Sequence, residues 1–142
     1  MRIIVTGGAG FIGSHIVNRL VRKGHKVTIL DCFNYASDIR RIDNLTDVEV
    51  LEYNLINNDW KDKLNKFDLV INAAAETHVD HSFIRPIDFI NTNIIGLHNL
   101  ASYCYETDTP LLHLSTDEII GTGDPIHEDS FNQPCNPYAF TK

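Results

Sequence analysis

The feature that most restricts the fold of this chain is a glycine-rich turn near its start. The apolar run 3–5 leads into the segment 6–13, Thr-Gly-Gly-Ala-Gly-Phe-Ile-Gly. After this turn, Ile12, Ile16 and Leu20 recur at every fourth position, which predicts an amphipathic helix. A strand, a glycine turn and a helix in this order predict a helix N-terminus that offers backbone N–H groups to an anion.

The glycine spacing matches the turn that holds the pyrophosphate of a dinucleotide. Gly7, Gly10 and Gly13 recur at intervals of three, and the strand and helix around them supply the context that this pattern requires. Asp31 ends the next apolar run, where its carboxylate can accept hydrogen bonds from an adenosine ribose. The same carboxylate would repel the 2′-phosphate of NADP, so the sequence predicts NAD as the cofactor. A glycine loop followed by an ordinary strand-end Asp is the alternative interpretation.

Further short apolar runs alternate with helical stretches along the rest of the chain. Their residues are largely β-branched and apolar on both faces, and they lie at 27–30, 48–51, 69–71 and 111–114. This alternation predicts the α/β class, with a doubly wound parallel sheet covered by helices on both sides.

Three helices are predicted besides the one that follows the glycine turn. After Pro86, apolar residues recur at alternating spacings of three and four, a stripe that is typical of a core-facing side. Its members are Ile87, Ile90, Ile94, Leu97, Ala101 and Cys104. A short helix is predicted over 59–66 and another over 37–45.

Composition excludes several classes of partner. The chain has 12 basic and 19 acidic residues and a net charge of −7, which argues against binding to nucleic acid. No apolar stretch approaches the length of a membrane span. Cys32, Cys104 and Cys135 are widely spaced, and no cluster of ligands indicates a metal site. We therefore expect a cytoplasmic protein with reduced thiols that binds no metal, membrane or nucleic acid.

Two later segments carry candidate catalytic residues. Thr116, Asp117 and Glu118 follow the last apolar run, where open α/β sheets bind their ligands. Two carboxylates beside a hydroxyl suit a reaction that needs an acid and a base. Tyr138 and Lys142 would share one face of a helix, and an ammonium group stabilises a phenolate that takes a proton from an alcohol. Either segment alone is often a solvated turn or a chance match.

Taken in this order, the motifs resemble the extended short-chain dehydrogenase/reductase superfamily over the whole chain, with its Rossmann-like NAD-binding fold. Within it, the chain is most similar to nucleoside-diphosphate-sugar 4,6-dehydratases, in particular those that act on dTDP-glucose. The resemblance is carried by residues 74–80, Ala-Ala-Glu-Thr-His-Val-Asp, by 92–96, Thr-Asn-Ile-Ile-Gly, and above all by 115–118, Ser-Thr-Asp-Glu. Related epimerases and decarboxylases generally have an uncharged residue in place of Asp117, so the Asp-Glu pair indicates dehydration.

The resemblance implies a role for each candidate catalytic residue. Tyr138 would deprotonate the sugar 4-hydroxyl while NAD takes hydride from carbon 4, with Lys142 supporting Tyr138 and holding the nicotinamide ribose. Thr116 would hydrogen-bond the reacting hydroxyl. Glu118 would then remove the proton on carbon 5, and Asp117 would protonate the departing 6-hydroxyl before hydride returns to carbon 6.

The resemblance also implies a set of binding residues. The predicted cofactor-binding residues are Gly7, Gly10, Phe11, Ile12, Gly13, Asp31, Cys32, Phe33, Asn34, Asn54, Leu55, Ala73, Ala74, Ala75, Thr77, Thr92, Tyr138 and Lys142. Thr77 and Thr116 are predicted to contact the sugar substrate. Asn54-Leu55 replaces the usual Asp-Ile of the family, which predicts altered adenine contacts with retained binding. Ile120 and His81 replace a usual Tyr and Arg, which we interpret as packing changes.

Family members extend beyond the Tyr-x-x-x-Lys segment into further strands and a substrate domain. We therefore expect residues 1–142 to form an incomplete NAD-binding domain without a substrate domain. The resemblance also implies that the complete protein is a homodimer, in which the helix after Pro86 and the Tyr/Lys helix of each chain pack into a four-helix bundle. The stripe from Ile87 to Cys104 would then be partly uncovered in a single chain. The substrate would be dTDP-glucose or UDP-glucose, which the residues present do not distinguish. Two alternatives stay open: an NAD-binding fragment without activity of its own, and a 4-epimerase or decarboxylase of the same superfamily.

Overall fold

The computed structural model describes residues 1–121, 127 and 129–142, and is built around a five-stranded parallel sheet. The strands are β1 (Arg2–Thr6), β2 (Lys26–Asp31), β3 (Val48–Glu52), β4 (Leu69–Asn72) and β5 (Leu111–His113). Their order is β3-β2-β1-β4-β5, and every neighbouring pair is parallel. All five predicted runs are strands, so the α/β parallel-sheet class is confirmed. The order reverses between β1 and β4, and such a switch point forms a ligand-binding crevice.

The helices are α1 (Phe11–Arg22), α2 (Val79–Ile84), α3 (Pro86–Phe89), α4 (Leu97–Glu106) and α5 (Pro137–Phe140). Between α3 and α4, the segment Ile90–Gly96 is π-helical, and its flanking residues keep helical backbone angles, so the three pieces form one continuous helix. The helix after the glycine turn and the helix after Pro86 were both predicted, whereas α2 was not.

Two of the predicted helices are wrong. The segments 37–45 and 59–66 each contain only a single 3₁₀ turn, Ile39–Arg41 and Lys61–Lys63. Each turn ends because the next residue, Ile42 or Leu64, returns to extended backbone and packs its side chain against the core.

Apolar clusters cover both faces of the sheet. On one face, Ile4 and Val70 pack with Trp60 and Leu100, and on the other, Val5 packs among residues of α1 and β2. Burial on both faces explains why the strand sequences are continuously apolar and do not alternate.

The predicted stripe on the helix after Pro86 does not face this core. Ile87, Ile90 and Ile94 are 62%, 39% and 44% exposed, whereas Phe89 and Leu100 are buried. The helix carries apolar residues on two faces and includes a π-helical segment that shifts the phase of its repeat. The prediction that the stripe faces the core is therefore wrong for most of its residues, whereas the expected partial exposure of the stripe is confirmed.

Within the part of the chain that the structure describes, no helix combines the length and apolar character needed to cross a membrane. The same residues include no group of three or more His, Cys, Asp or Glu side chains placed to hold a metal ion.

Candidate functional site

The glycine turn after β1 is packed so closely at Gly7 and Gly13 that neither position can hold a side chain. Gly7 has a φ of +65°, and a Cβ atom there would lie 2.7 Å from the backbone of Ala74. A Cβ on Gly13 would lie 2.0 Å from the carbonyl oxygen of Gly7. The turn therefore lies against both α1 and the segment after β4, which is the arrangement that the sequence pattern requires.

The first turn of α1 leaves backbone donors at the crevice. Its first helical hydrogen bond runs from Ser14 N to Gly10 O at 3.0 Å. The N–H groups of Phe11, Ile12 and Gly13 precede this bond and so have no partner within the helix. Gly10 caps the helix without a side chain, which leaves the approach to these donors open. This donor set fits a pyrophosphate.

Asp31 connects the glycine turn to the loop after β2. Its Oδ2 accepts a hydrogen bond from Ala9 N at 3.0 Å, and its Oδ1 accepts from Phe33 N at 2.9 Å and from Ser37 Oγ at 2.7 Å. The side chain is buried at the end of β2. Because each carboxylate oxygen can accept two hydrogen bonds, Oδ2 retains capacity for a ribose hydroxyl.

A cleft of about 150 Å³ opens between these groups and the segment after β4. It is lined by most of the predicted cofactor residues, namely Gly7, Gly10, Asp31, Cys32, Asn34, Asn54, Leu55, Ala73, Ala74, Ala75, Thr77 and Thr92. The other predicted residues lie outside its lining, namely Phe11, Ile12, Gly13, Phe33, Tyr138 and Lys142. The donors, the carboxylate and the small alanine wall fit the phosphates and ribose of an adenine dinucleotide.

Asn93 joins the cleft to Thr141, the residue after α5, and the sequence pattern does not indicate this role. Its Oδ1 accepts from Glu76 N, and its Nδ2 donates to Glu76 O and to Thr141 Oγ1, each at 2.9 Å. Asn93 lies in the π-helical segment, a feature often found at functional sites. Asn93 is a polar residue on the same buried face of the helix as Phe89 and Leu100, and this position is the sequence signal that could have indicated its role.

Asn99 holds the other wall of the cleft. Its Nδ2 donates to the carbonyl oxygens of Leu55 and Ile56 at 2.9 and 3.0 Å. Nearby, Gly96 passes so close that a Cβ would lie 3.1 Å from the Leu55 side chain. Both contacts fix the loop in which Asn54 and Leu55 line the cleft.

The segment after β5 brings Thr116, Asp117 and Glu118 together. Thr116 caps the 3₁₀ turn Asp117–Ile120, since its Oγ1 accepts from Glu118 N at 3.4 Å. The same hydroxyl donates to Asp117 Oδ1 at 3.3 Å. Asp117 is exposed, whereas Glu118 is half-buried and its Oε2 accepts from Asn136 Nδ2 at 2.6 Å. The two carboxylates therefore lie in different surroundings, as separate acid and base roles require.

Helix α5 lies beside this segment and is tethered at both ends. Asn136 contacts Glu118 at its start, and beyond its end the Lys142 Nζ donates to Leu114 O at 2.7 Å. Burial lowers the pKa of Lys142. Tyr138 is buried, and its ring packs edge-on against Phe89.

Tyr138 lies within α5, and Lys142 follows Thr141, the residue that caps the helix. That Tyr138 and Lys142 share a helix face stays a prediction. The structure thus places all five predicted catalytic residues on two adjacent segments, 114–118 and 136–142.

A glycine turn at the switch point of a parallel sheet, facing a strand-end carboxylate, defines a dinucleotide-binding protein of the Rossmann-like fold. The model of the NAD dependent epimerase/dehydratase family matches residues 3–142, and the chain belongs to this family.

Named relatives include both dehydratases and epimerases. The chain is 34% identical to the dTDP-D-glucose 4,6-dehydratase of Mus musculus, over 99% of this chain and 43% of the relative. A structure of a DesIV double mutant, a dTDP-glucose 4,6-dehydratase from Streptomyces venezuelae with NAD and DAU bound, matches with a TM-score of 0.92 and 29% identity, over 99% of this chain and 48% of that one. A Thermus thermophilus UDP-glucose 4-epimerase in complex with NAD matches with a TM-score of 0.90 and 30% identity, over 100% of this chain and 47% of that one. The chain spans less than half the length of each of these relatives.

Proposed function

We propose that this chain supplies the NAD-binding and catalytic part of a nucleoside-diphosphate-glucose 4,6-dehydratase, which converts its substrate to a 4-keto-6-deoxy sugar with loss of water. The observation that carries the proposal is the Asp117–Glu118 pair, which lies directly after β5 and beside α5. Dehydration needs a base for one carbon and an acid for a leaving hydroxyl, and these adjacent carboxylates have different partners.

In the first stage, the reacting sugar hydroxyl loses its proton to Tyr138. The Lys142 ammonium supports this step because positive charge favours the phenolate form of a neighbouring tyrosine. Thr116 orients the same hydroxyl through a hydrogen bond. Bound NAD would supply the hydride acceptor for carbon 4, and its reduced form the hydride donor for carbon 6.

In the second stage, the new 4-keto group acidifies the proton on carbon 5, and Glu118 removes it. Asp117 donates a proton to the 6-hydroxyl, which leaves as water. Exposure suits Asp117 to this role, since it lies where a substrate can reach it, while the half-buried Glu118 is held by Asn136. As hydride reaches carbon 6, Glu118 returns its proton to carbon 5, which completes the 4-keto-6-deoxy sugar. Tyr138 has then gained the one proton that Asp117 has lost, so the net reaction is elimination of one water.

Cofactor binding in this proposal uses the glycine turn for the pyrophosphate and Asp31 for the adenosine ribose. The supporting geometry is the set of α1 donors that have no partner within the helix and the buried carboxylate beside the cleft. Asn54 supplies an amide where the family resemblance predicts a carboxylate, so we expect the adenine contact to differ while binding is retained.

A direct test incubates the full-length protein that the gene encodes with NAD and, in separate reactions, dTDP-glucose and UDP-glucose. We expect mass spectrometry to show a product lighter by one water from one or both substrates. In Glu118→Gln, water loss should fall to a small residual rate, whereas oxidation at carbon 4 should continue and the reduced cofactor should absorb in the near ultraviolet. A full-length protein that releases no water from either substrate would refute the proposal.

The second candidate is 4-epimerisation of the same class of substrate. It is favoured by the structural likeness to a UDP-glucose 4-epimerase. The reaction products separate the two, because an epimerase inverts carbon 4 and retains the 6-hydroxyl.

We further propose that the complete protein is a homodimer. An apolar groove of about 510 Å³ lies between the helix after Pro86 and α5. Its walls include Ile90, Ile94 and Phe140, all exposed in the isolated chain. Exposed apolar surface of this kind is typical of a protein interface.

A cytoplasmic location is also proposed. Its support is that Cys32, Cys104 and Cys135 are all free thiols, as is usual in a reducing compartment. Burial raises the pKa of the Cys104 thiol to about 11, which keeps it unreactive.

A further inference from the structure

The shortest contact between the two catalytic segments joins Glu118 to Asn136. Asn136 Nδ2 donates to Glu118 Oε2 at 2.6 Å, across 18 positions of the chain. Asn136 is 9% exposed, so little solvent competes for this bond. The contact fixes one carboxylate oxygen of Glu118.

The other end of the same amide caps α5. Asn136 Oδ1 accepts from Ala139 N at 2.8 Å, and Asn136 O accepts from Phe140 N at 3.1 Å. A backbone N–H can only donate, so the amide oxygen must face Ala139 and the amide nitrogen must face Glu118. One side chain therefore orients the helix that carries Tyr138 and the carboxylate of Glu118 together.

Among the polar residues that commonly cap helices, only asparagine can perform both tasks in this position. Serine and threonine cap helices as well, but their hydroxyl is too short to reach Glu118 while it accepts from Ala139. Aspartate keeps the capping oxygen but faces Glu118 with a second negative charge in place of the N–H donor.

We propose that Asn136 is a positioning residue for the dehydration, which holds Oε2 of Glu118 so that Oε1 faces the proton on carbon 5. The inference rests on the proposed function. Asn136 touches neither substrate nor cofactor in this scheme and acts through Glu118. Tyr138 and the hydride transfer depend on the capped helix and do not require the bond to Glu118.

The test compares Asn136→Ser and Asn136→Asp with the wild type in the full-length protein. Both substitutions preserve a helix-capping oxygen, and both remove the donor to Glu118. We expect kcat for water loss to fall about 10- to 100-fold, as removal of a hydrogen bond to a charged group does. KM for the nucleotide sugar should change little, and reduced cofactor should accumulate because oxidation continues while elimination is slow.

A double substitution separates positioning from a general loss of structure. If Asn136 acts through Glu118, Asn136→Ser should slow elimination no further once Glu118→Gln is present. The inference would be refuted if the two substitutions slowed elimination additively in the double variant. It would also be refuted if Asn136→Ser slowed hydride transfer and elimination equally, or if both Asn136 variants eliminated water at the wild-type rate. If the wild type itself loses no water, the proposed function has failed, a result visible before any variant is examined.

Discussion

Asn72 Nδ2 lies 3.0 Å from His113 Nδ1, where the ends of β4 and β5 pair. The Asn72 Oδ1 accepts from the Thr6 hydroxyl of β1 and from Ala74 N, so its Nδ2 is the donor to His113. A polar row thus crosses three neighbouring strands at the carboxyl edge of the sheet. His113 Nε2 is buried and has no partner among the described residues.

Burial of His113 makes the stability of the fold depend on pH. Burial, with a smaller contribution from the Lys142 charge, lowers the pKa of His113 below its usual value. The unfolded chain therefore takes up a proton at a higher pH than the folded one. Stability is complete above about pH 6.5 and falls as the pH decreases toward the folded pKa.

We accordingly expect the denaturant concentration at the unfolding midpoint to decrease when the pH is lowered from 7 to 5. This decrease should be smaller in His113→Gln. Chemical unfolding followed by circular dichroism at several pH values measures it. His98→Gln is the matched control, because His98 is exposed on α4. His98→Gln should show the same dependence on pH as the wild type. The prediction fails if His113→Gln shows that dependence as well.

Substitution of Gly13 should destabilise the fold more than substitution of Gly24, a glycine with free space around its Cα. A Cβ at Gly13 would lie 2.0 Å from the Gly7 carbonyl oxygen, whereas one at Gly24 would meet nothing within 4 Å. Gly24→Ala should still cost about 1 kcal/mol because its φ is +78°. Gly13→Ala should cost at least about 3 kcal/mol, since the backbone of α1 must move. Urea unfolding of both variants tests this, and equal losses would contradict it.

The strands and the glycine turn could be predicted because their signals are local. Continuous apolar runs and the glycine spacing need no knowledge of distant residues. The roles of three asparagine side chains in the site could not be predicted. Asn93, Asn99 and Asn136 form hydrogen bonds to groups that lie 17 to 48 positions away in the sequence. Nor could periodicity reveal which apolar face of the helix after Pro86 is buried, since that depends on what the sheet presents to it.

Asp31 should set the preference for NAD over NADP. Its carboxylate is buried at the cleft, so a 2′-phosphate would meet negative charge in a poorly solvated place. We expect the wild type to bind NAD more tightly than NADP. Asp31→Ser should weaken NAD binding by about 10-fold and should reduce the difference in affinity between NAD and NADP. Titration of each dinucleotide by calorimetry measures both affinities.

The control for Asp31 is Ser37→Ala. Ser37 Oγ donates to Asp31 Oδ1, so this variant loosens the loop after β2 and leaves the carboxylate in place. It should retain the preference for NAD even if both affinities fall. An Asp31→Ser protein that binds NAD with unchanged affinity would remove Asp31 from the ribose site.

The apolar groove predicts that one charged substitution separates the proposed dimer. Ile94 is 44% exposed and lines the groove with Ile90 and Phe140. Ile94→Glu would bury a charge in an apolar interface, at a cost of several kcal/mol, but would leave the monomer core untouched. Sedimentation of the full-length protein should show a dimer for the wild type and a monomer for this variant. Tyr105→Glu is the control, since Tyr105 is 90% exposed and lies outside the groove. A dimer that persists in Ile94→Glu would place the interface elsewhere. A carboxylate that is buried in an interface without a hydrogen-bond or ion-pair partner weakens the association of the two subunits.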